Sequence, residues 1–350
     1  MFKTRKLVLY STATALILFC IKGFEVDASS EGWYIANPYS EVDWSEHGQY
    51  KANMHTHTTQ SDGRMSPADK IDAYHELDYA ILAITDHDTG GPNRDWSNPL
   101  PETTWPWTDY DRDPEVLGML AVQGNDISRP HHIGSFFNDY GDDTQTSEAA
   151  ALEEIGSRDG LAVLFHPGRY SRSVEWYVNL YETYDHLVGL EVYNQGDRYS
   201  SDRRLWDDIL AETMPERPVW GYSNDDAHFD NQIGRNWQMF LLPELTEEAL
   251  RNAMTNGHFY FAYTPGHGDP APIINSISVD EDNWTITIEA EDYDEIAWVS
   301  GGEVVGDESV ISVAGISGVL RAELTSNTGK TYTQPFYIAS PPVGALISVY

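Results

Sequence analysis

Residues 79–88 read Tyr-Ala-Ile-Leu-Ala-Ile-Thr-Asp-His-Asp, an apolar run that stops at Asp86 and His87. A run this short, bounded by polar residues, has the length and composition of a buried strand. The pattern returns at Leu117 to Val122 ahead of Asp126, Leu161 to Phe165 ahead of His166, Leu187 to Leu190 ahead of Glu191, and Pro218 to Tyr222 ahead of Asp226-Ala227-His228. Helical stretches lie between several of these runs. Ser66-Pro67 opens one that extends through Leu77, with serine as the cap and proline in the first turn. Ser147 to Ile155, Asp202 to Met214 and Thr246 to Asn256 read the same way, and Gly257 closes the last. The alternation predicts an α/β fold, with βα units around a parallel sheet. In closed barrels of such units the chemistry sits at the carboxyl ends of the strands. That is where each run meets its histidine or acid.

The 350 residues leave room for one large catalytic domain and a small accessory one, and a hydrophobic content of 41% supports a packed core. Thr89 to Pro114 breaks the alternation, being rich in Pro, Trp, Asp and Asn without period, and reads as an inserted loop near the mouth of the site. After Tyr263-Thr264-Pro265-Gly266 the chain changes to short strands separated by Gly, Asp and Asn turns, at Ile273–Val279, Trp284–Ala290, Ile296–Val299, Val310–Val313, Val319–Leu324 and Thr331–Ile338. That predicts a small all-β, sandwich-like C-terminal domain over residues 269–350, after a barrel domain over residues 29–268. Nothing in the tail concentrates histidine or acid in a catalytic arrangement, so a lid, spacer or packing role outranks carbohydrate binding there.

Residues 1–28 carry the parts of a secretory signal peptide: a basic start through Lys6, an apolar run from Leu7 to Ile21, and Val26-Asp27-Ala28 as the cleavage site. The expected location is therefore outside the cytoplasm, in the periplasm, at the cell surface or in the medium, with no membrane span after cleavage. The single cysteine, Cys20, lies in this leader, which leaves the mature chain without a thiol ligand or disulfide. Bulky Phe19 argues against lipid attachment at Cys20; an uncleaved anchor is the other reading. The formal net charge of -35 and the scarcity of lysine exclude a groove that neutralises phosphates along a nucleic-acid duplex. A solvated acidic surface is the simpler reading. Oligomeric state leaves no mark on the sequence.

Within this acidic chain a set of metal-binding side chains stands in order. His55 and His57 are two apart and share one face of a strand. After them come Asp62, His87, Asp126, the pair His131-His132, His166, Asp226 and His228. Histidine and aspartate without thiolate suit Zn, Mn or Fe(II) better than Ca or Mg, which favour all-oxygen sites. Three divalent ions would outweigh Asp62, Asp126 and Asp226, giving a cationic centre that attracts an anion and acidifies water. The reaction class that follows is metal-assisted hydrolysis at phosphorus or at a carbonyl. Arg169, three residues after His166, is a candidate to steer a phosphate or carboxylate. Glu191 reads as support for a ligand histidine rather than as a ligand, and Asp86 and Asp88 as residues that orient His87 or cap its turn.

This ordered series resembles the PHP (polymerase and histidinol phosphatase) metallohydrolase family, and the exported, β-tailed layout is similar to its carbaryl-hydrolase-like branch. The resemblance covers about Tyr50 to Tyr263. It implies a distorted (β/α)7 TIM-like barrel with two or three divalent metals at the carboxyl ends of its strands. On that likeness His55 and His57 open the first metal site, Asp62 and His87 follow, and Asp126 falls where the family usually carries a bridging glutamate. His132, His166 and His228 match the remaining histidines and Asp226 the closing acid. Aspartate at 126 is a departure, one methylene shorter than glutamate. His132 is favoured over His131 because it directly precedes apolar Ile133. The expected function is an exported phosphoesterase acting on a small anionic ester or nucleotide, with Asp126, Arg169 and Asp226 as catalytic candidates. A carboxyl or carbamate ester hydrolase using the same centre is the alternative, and a cell-surface binding protein with structural metals is the second.

Overall fold

The computed structural model describes residues 34–88, 103–142 and 144–339. The expected leader, Cys20 and residues 89–102 of the inserted stretch lie outside the described residues. The fold is mixed α/β. Its first part runs β1 (Tyr34–Ala36), β2 (Gly48–Asn53), α1 (Pro67–His75), β3 (Ile81–Ala83), α2 (Pro114–Leu117), β4 (Leu120–Val122), β5 (Gly124–Ile127), β6 (Ile133–Phe136), α3 (Glu148–Ser157) and β7 (Leu161–Leu164). It continues with α4 (Val174–Thr183), β8 (Leu187–Asn194), α5 (Asp202–Thr213), β9 (Trp220–Asn224), β10 (Asn236–Leu242), α6 (Glu247–Asn256) and β11 (Phe259–Tyr263). Three of the four helix starts read from sequence are real caps, and the fourth, at Asp202, has no side-chain cap. Ser66, Ser147 and Thr246 each accept a hydrogen bond from the amide three residues on, and Gly257 ends α6 at φ 77°.

Strands β2, β3 and β4 pair in parallel, as do β7, β8 and β9. Between these two groups the expectation of uniform parallel βα units fails at β6, which runs antiparallel to both β5 and β7. The reason is length: only Ser128 to His132 separates β5 from β6, and a parallel return needs a crossover of a dozen residues or more. The strand ends then join the groups. His87 bridges Asp126 in parallel, and Thr56 bridges Ala227. The hydrogen-bonded path thus runs β2, β3, β5, β6, β7, β8, β9 and back to the end of β2. Along β7 the side chains alternate between two cores. Val163 joins a cluster with Ala52, Ile81, Phe136, Tyr222 and Phe240, while Ala162 and Leu164 pack with Leu152, Ile155, Tyr177 and Trp206 beneath the helices. Fully burying each such side chain contributes roughly 1.5–3 kcal/mol.

The tail contains β12 (Ile273–Asp280), β13 (Thr285–Glu291), β14 (Glu295–Ser300), β15 (Glu303–Gly306), β16 (Val310–Ser312), β17 (Ser317–Thr325), β18 (Lys330–Tyr332) and β19 (Phe336–Ala339), with no helix among the described residues. The single run expected over Thr331–Ile338 is two strands, broken around Pro335, which has no amide to donate. Strand β18 pairs with β11, which pairs with β10 and through it with β2, so one sheet crosses from the first part into the tail. The crossing is also made by side chains. Phe261 stacks on Tyr332 with centroids 5.3 Å apart, and the Gln334 amide both donates to Gly221 O and accepts from Gly221 N at 2.9 Å. Among the described residues no helix is long and apolar enough to cross a membrane.

Candidate metal centre

Every residue nominated as a ligand lies at one end of this strand path. His55 and His57 follow β2, His87 follows β3, Asp126 is in β5, His132 immediately precedes β6, His166 follows β7, and Asp226 and His228 follow β9. Asp62 arrives on the loop after His57, whose tight return brings Gly63 N within 2.9 Å of Thr58 O. A side chain on Gly63 would collide with the backbone of His57, so only glycine fits this return. Buried Asp86 locks the same loop, accepting from Thr58 N, Thr58 Oγ1 and Ser61 Oγ, each at 2.6 Å. Asp86 therefore positions the Asp62 loop, while Asp88 accepts from Ser128 N at 2.9 Å and ties the ends of β3 and β5.

The donor atoms converge. Asp226 Oδ1 is 3.1 Å from His57 Nε2 and 3.4 Å from His55 Nε2, and Asp126 Oδ2 is 2.7 Å from His132 Nδ1 and 3.0 Å from His87 Nδ1. Asp62 Oδ1 is 3.1 Å from His228 Nε2 and 3.5 Å from His87 Nε2. Overlapping groups result, each with its donor atoms within 4.8 Å of one another: His57, Asp62, His87 and His228; His55, His57 and Asp226; His55, Asp126 and His166; His87, Asp126 and His132. His131 stands apart from these groups. Its ring stacks on Tyr170 at 4.0 Å and its Nδ1 meets His132 O at 3.0 Å, outside the cluster, and burial pushes its pKa down to about 3.

Glu191 lies inside β8 rather than at its end, fully buried. Its Oε1 meets His55 Nδ1 at 2.8 Å and accepts from Asn224 Nδ2 at 2.9 Å; its Oε2 accepts from His166 N at 2.7 Å and Asn194 Nδ2 at 2.9 Å. That contact turns His55 Nε2 inward, the arrangement by which carboxylates orient ligand histidines. Asn194 and Asn224 were not singled out from sequence, although a polar amide near the end of each buried apolar run was a usable signal. Lys70 was also missed. It is buried on α1, and its Nζ donates to Ala227 O at 2.7 Å, between Asp226 and His228. Burial lowers its pKa to about 8, against the pull of Asp86 and Asp225.

Charge is shared unevenly among the histidines. Burial is the largest influence on His55 and on His87 and opposes a proton on each, but Glu191, Asp226 and Asp126 together outweigh it at the first and Asp126, Asp62 and Asp226 together at the second, and both pKa values rise to about 9. His57 is held down at about 4 by burial and by His87 and His228 beside it. The backbone is bent to serve the site. His166 at φ 31°, Gln195 at φ 47° and Asp226 at φ 44° are left-handed non-glycine residues, a conformation that persists only where the surroundings impose it. Divalent cations fit this donor set on one further ground. His57 Nδ1, Asp126 Oδ1 and His166 Nδ1 are buried without a hydrogen-bond partner, each a cost of about 1–3 kcal/mol that a cation can offset.

No family model matches the chain and no curated protein matches it. Among solved structures it is similar to a two-domain protein from Bacteroides vulgatus containing a predicted PHP-like metal-dependent phosphoesterase, at 15% identity and a TM-score of 0.50, over 85% of this chain and 88% of that one. The likeness is one of fold. It extends over both the mixed α/β part of this chain and the β tail. Shorter likenesses reach a candidate metal-dependent phosphoesterase from Bifidobacterium adolescentis, at 16% identity and TM-score 0.37 over 51% of this chain and 88% of that one. They also reach the lesion-specific endonuclease EndoQ of Pyrococcus furiosus, at 13% identity and TM-score 0.39 over 59% of this chain and 56% of that one.

Proposed function

We propose that this chain is an exported, divalent-metal-dependent phosphoesterase of PHP type, acting on a small anionic ester. In this reading the closed strand path is a distorted (β/α)7 barrel, and the β tail gives it the layout of the carbaryl-hydrolase-like branch. The observation that carries the proposal is the convergence of six histidines and three aspartates on one end of the path with three donor atoms left buried and unpartnered. His55, His57, Asp62, His87, Asp126, His132, His166, Asp226 and His228 would hold two or three ions of Zn, Mn or Fe. Bound there, such ions supply positive charge for a developing oxyanion and lower the pKa of water.

The chain's own groups do the rest. Asp226, between His55 and His57, is placed to orient an attacking water and take its proton. Asp126 reaches His87 and His132 without the extra methylene of glutamate because the His87–Asp126 bridge draws the ends of β3 and β5 together. Arg169 Nη1, exposed and 3.3 Å from His132 Nε2, is placed to bind the ester's anionic oxygens. The test combines metal analysis of protein purified without chelator with turnover of p-nitrophenyl phosphate, a phosphodiester and acyl esters. Activity on phosphate esters that disappears in His57→Ala and Asp226→Asn together with bound metal is expected; activity confined to acyl esters overturns the phosphoesterase reading.

A further inference from the structure

The described arginines fall into two classes. Those away from the cluster are engaged. Seven arginines, all but Arg172 on other elements, pair with carboxylates, Arg112 with Asp72 and Arg321 with Asp207 among them, and Arg217 caps a set of main-chain carbonyls that includes Tyr181 O and Leu187 O. Arg64, Arg129, Arg169, Arg198 and Arg235 make no ion pair among the described residues. All five belong to loops that carry the cluster or touch them. In a chain with 56 acids against 21 bases, an exposed guanidinium finds a carboxylate easily, so unpaired arginines confined to one rim indicate an anion from elsewhere.

Two of these arginines sit on abutting loops. A Cβ on Gly168, the neighbour of Arg169, would meet the Cβ of Tyr199, the neighbour of Arg198, at 3.0 Å. The Tyr199 ring lies 5.9 Å from the ring of His166, and the Arg198 guanidinium stacks over Tyr199 at 5.1 Å. Arg198 Nη1 also donates to Gln195 Oε1 at 3.1 Å, while Gln195 Nε2 donates to Asp226 O at 3.0 Å. Arg198 is thus held by a stack and a relay of amides one loop away from Arg169, and its other side-chain N–H groups have no hydrogen-bond partner among the described residues. Resting on the phosphoesterase reading, we infer that Arg198 is a second anion-binding point and that the substrate carries two phosphate groups, one that reacts beside Arg169 and one held by Arg198.

The test uses the full metal-loaded chain, with Arg198→Ala, Arg198→Lys and, as a control, Arg251→Ala at a remote paired arginine. Binding of inorganic pyrophosphate and of orthophosphate is measured by calorimetry, and hydrolysis of fructose 1,6-bisphosphate is compared with that of p-nitrophenyl phosphate. Wild type is expected to prefer pyrophosphate by about tenfold, as a charge-assisted contact at a rim supplies. Arg198→Ala should abolish the preference and raise KM for the bisphosphate about tenfold more than KM for p-nitrophenyl phosphate, with Arg198→Lys intermediate and Arg251→Ala like wild type on both. Equal losses on both ligands, or no preference in wild type, overturn the second point while monoester turnover leaves the phosphoesterase reading standing. A preference that depends on Arg198 in a protein that hydrolyses no phosphate ester has the opposite meaning.

Discussion

At the scale of single residues, Glu191 and Asp202 separate two uses of a buried carboxylate. Glu191 is satisfied by four donors and aims His55, so Glu191→Gln keeps the shape but lets the amide face the imidazole the wrong way. Metal affinity, read by competition with a chelator, should fall about 10–100-fold while the melting temperature moves little. Asp202 is buried at the start of α5 against Gly168, and burial, with Glu191 nearby, raises its pKa to about 8. Its folded state prefers the neutral acid, whereas the unfolded residue ionises near pH 4. Its stabilising share is therefore full below about pH 4 and is lost as pH rises toward 8. Asp202→Asn should gain melting temperature over wild type at pH 9 relative to pH 5, and a pH-independent difference would refute the account. Much of this scale was legible beforehand: the nine ligand candidates converge, and His132, not His131, faces them. Lys70, Asp202 and Asn224 were not, because their roles depend on carbonyls and amides brought close by folding rather than on residue type.

At the scale of elements, the caps of α1, α3 and α6 were readable because each is a local bargain between a side chain and an amide three residues away. Helix α4 was not foreseen. Its buried Tyr177 and Tyr181 stand four apart on one face, yet Trp176, Val178 and Leu180 put apolar side chains beside and between them and blur the period. The direction of β6 was hidden for another reason, since apolar composition is blind to polarity and only the short link from β5 decides it. The turn after β7 is tightly packed as well. A Cβ on Gly168 would run into the Asp202 carboxylate and crowd Tyr199 and Ser201. Gly168→Ala should therefore displace His166 and Arg169 together, lowering kcat/KM by about tenfold or more through misplacement of the site. An activity assay alongside a thermal melt checks this; unchanged kinetics would show that the turn yields without moving the cluster.

At the scale of the whole molecule, the tail strands were legible as strands but their attachment was not. Alternation predicts a sheet face; it does not say which other sheet continues it. Here β11 joins β18, with Phe261 opposite Tyr332 and the two rings stacked, and the Tyr193 and Tyr332 hydroxyls meet at 2.8 Å. Ending the chain after residue 268 should strip the β11 edge of its partner and expose Phe261, Tyr193 and Tyr260. Such a fragment is expected to be aggregated or unfolded, as judged by gel filtration and near-UV circular dichroism, and a monomeric, folded fragment with intact metal uptake would contradict it.

The paired contacts between Gln334 and Gly221 give this attachment a clock. Gly221 lies in β9, a few residues before Asp226, yet its amide is closed off by a side chain more than a hundred positions further along. Its proton can exchange with solvent only when the tail lifts or the whole chain opens. The exchange rate of that one amide, set against amides deep in β8, measures how often the two parts of the protein let go of each other.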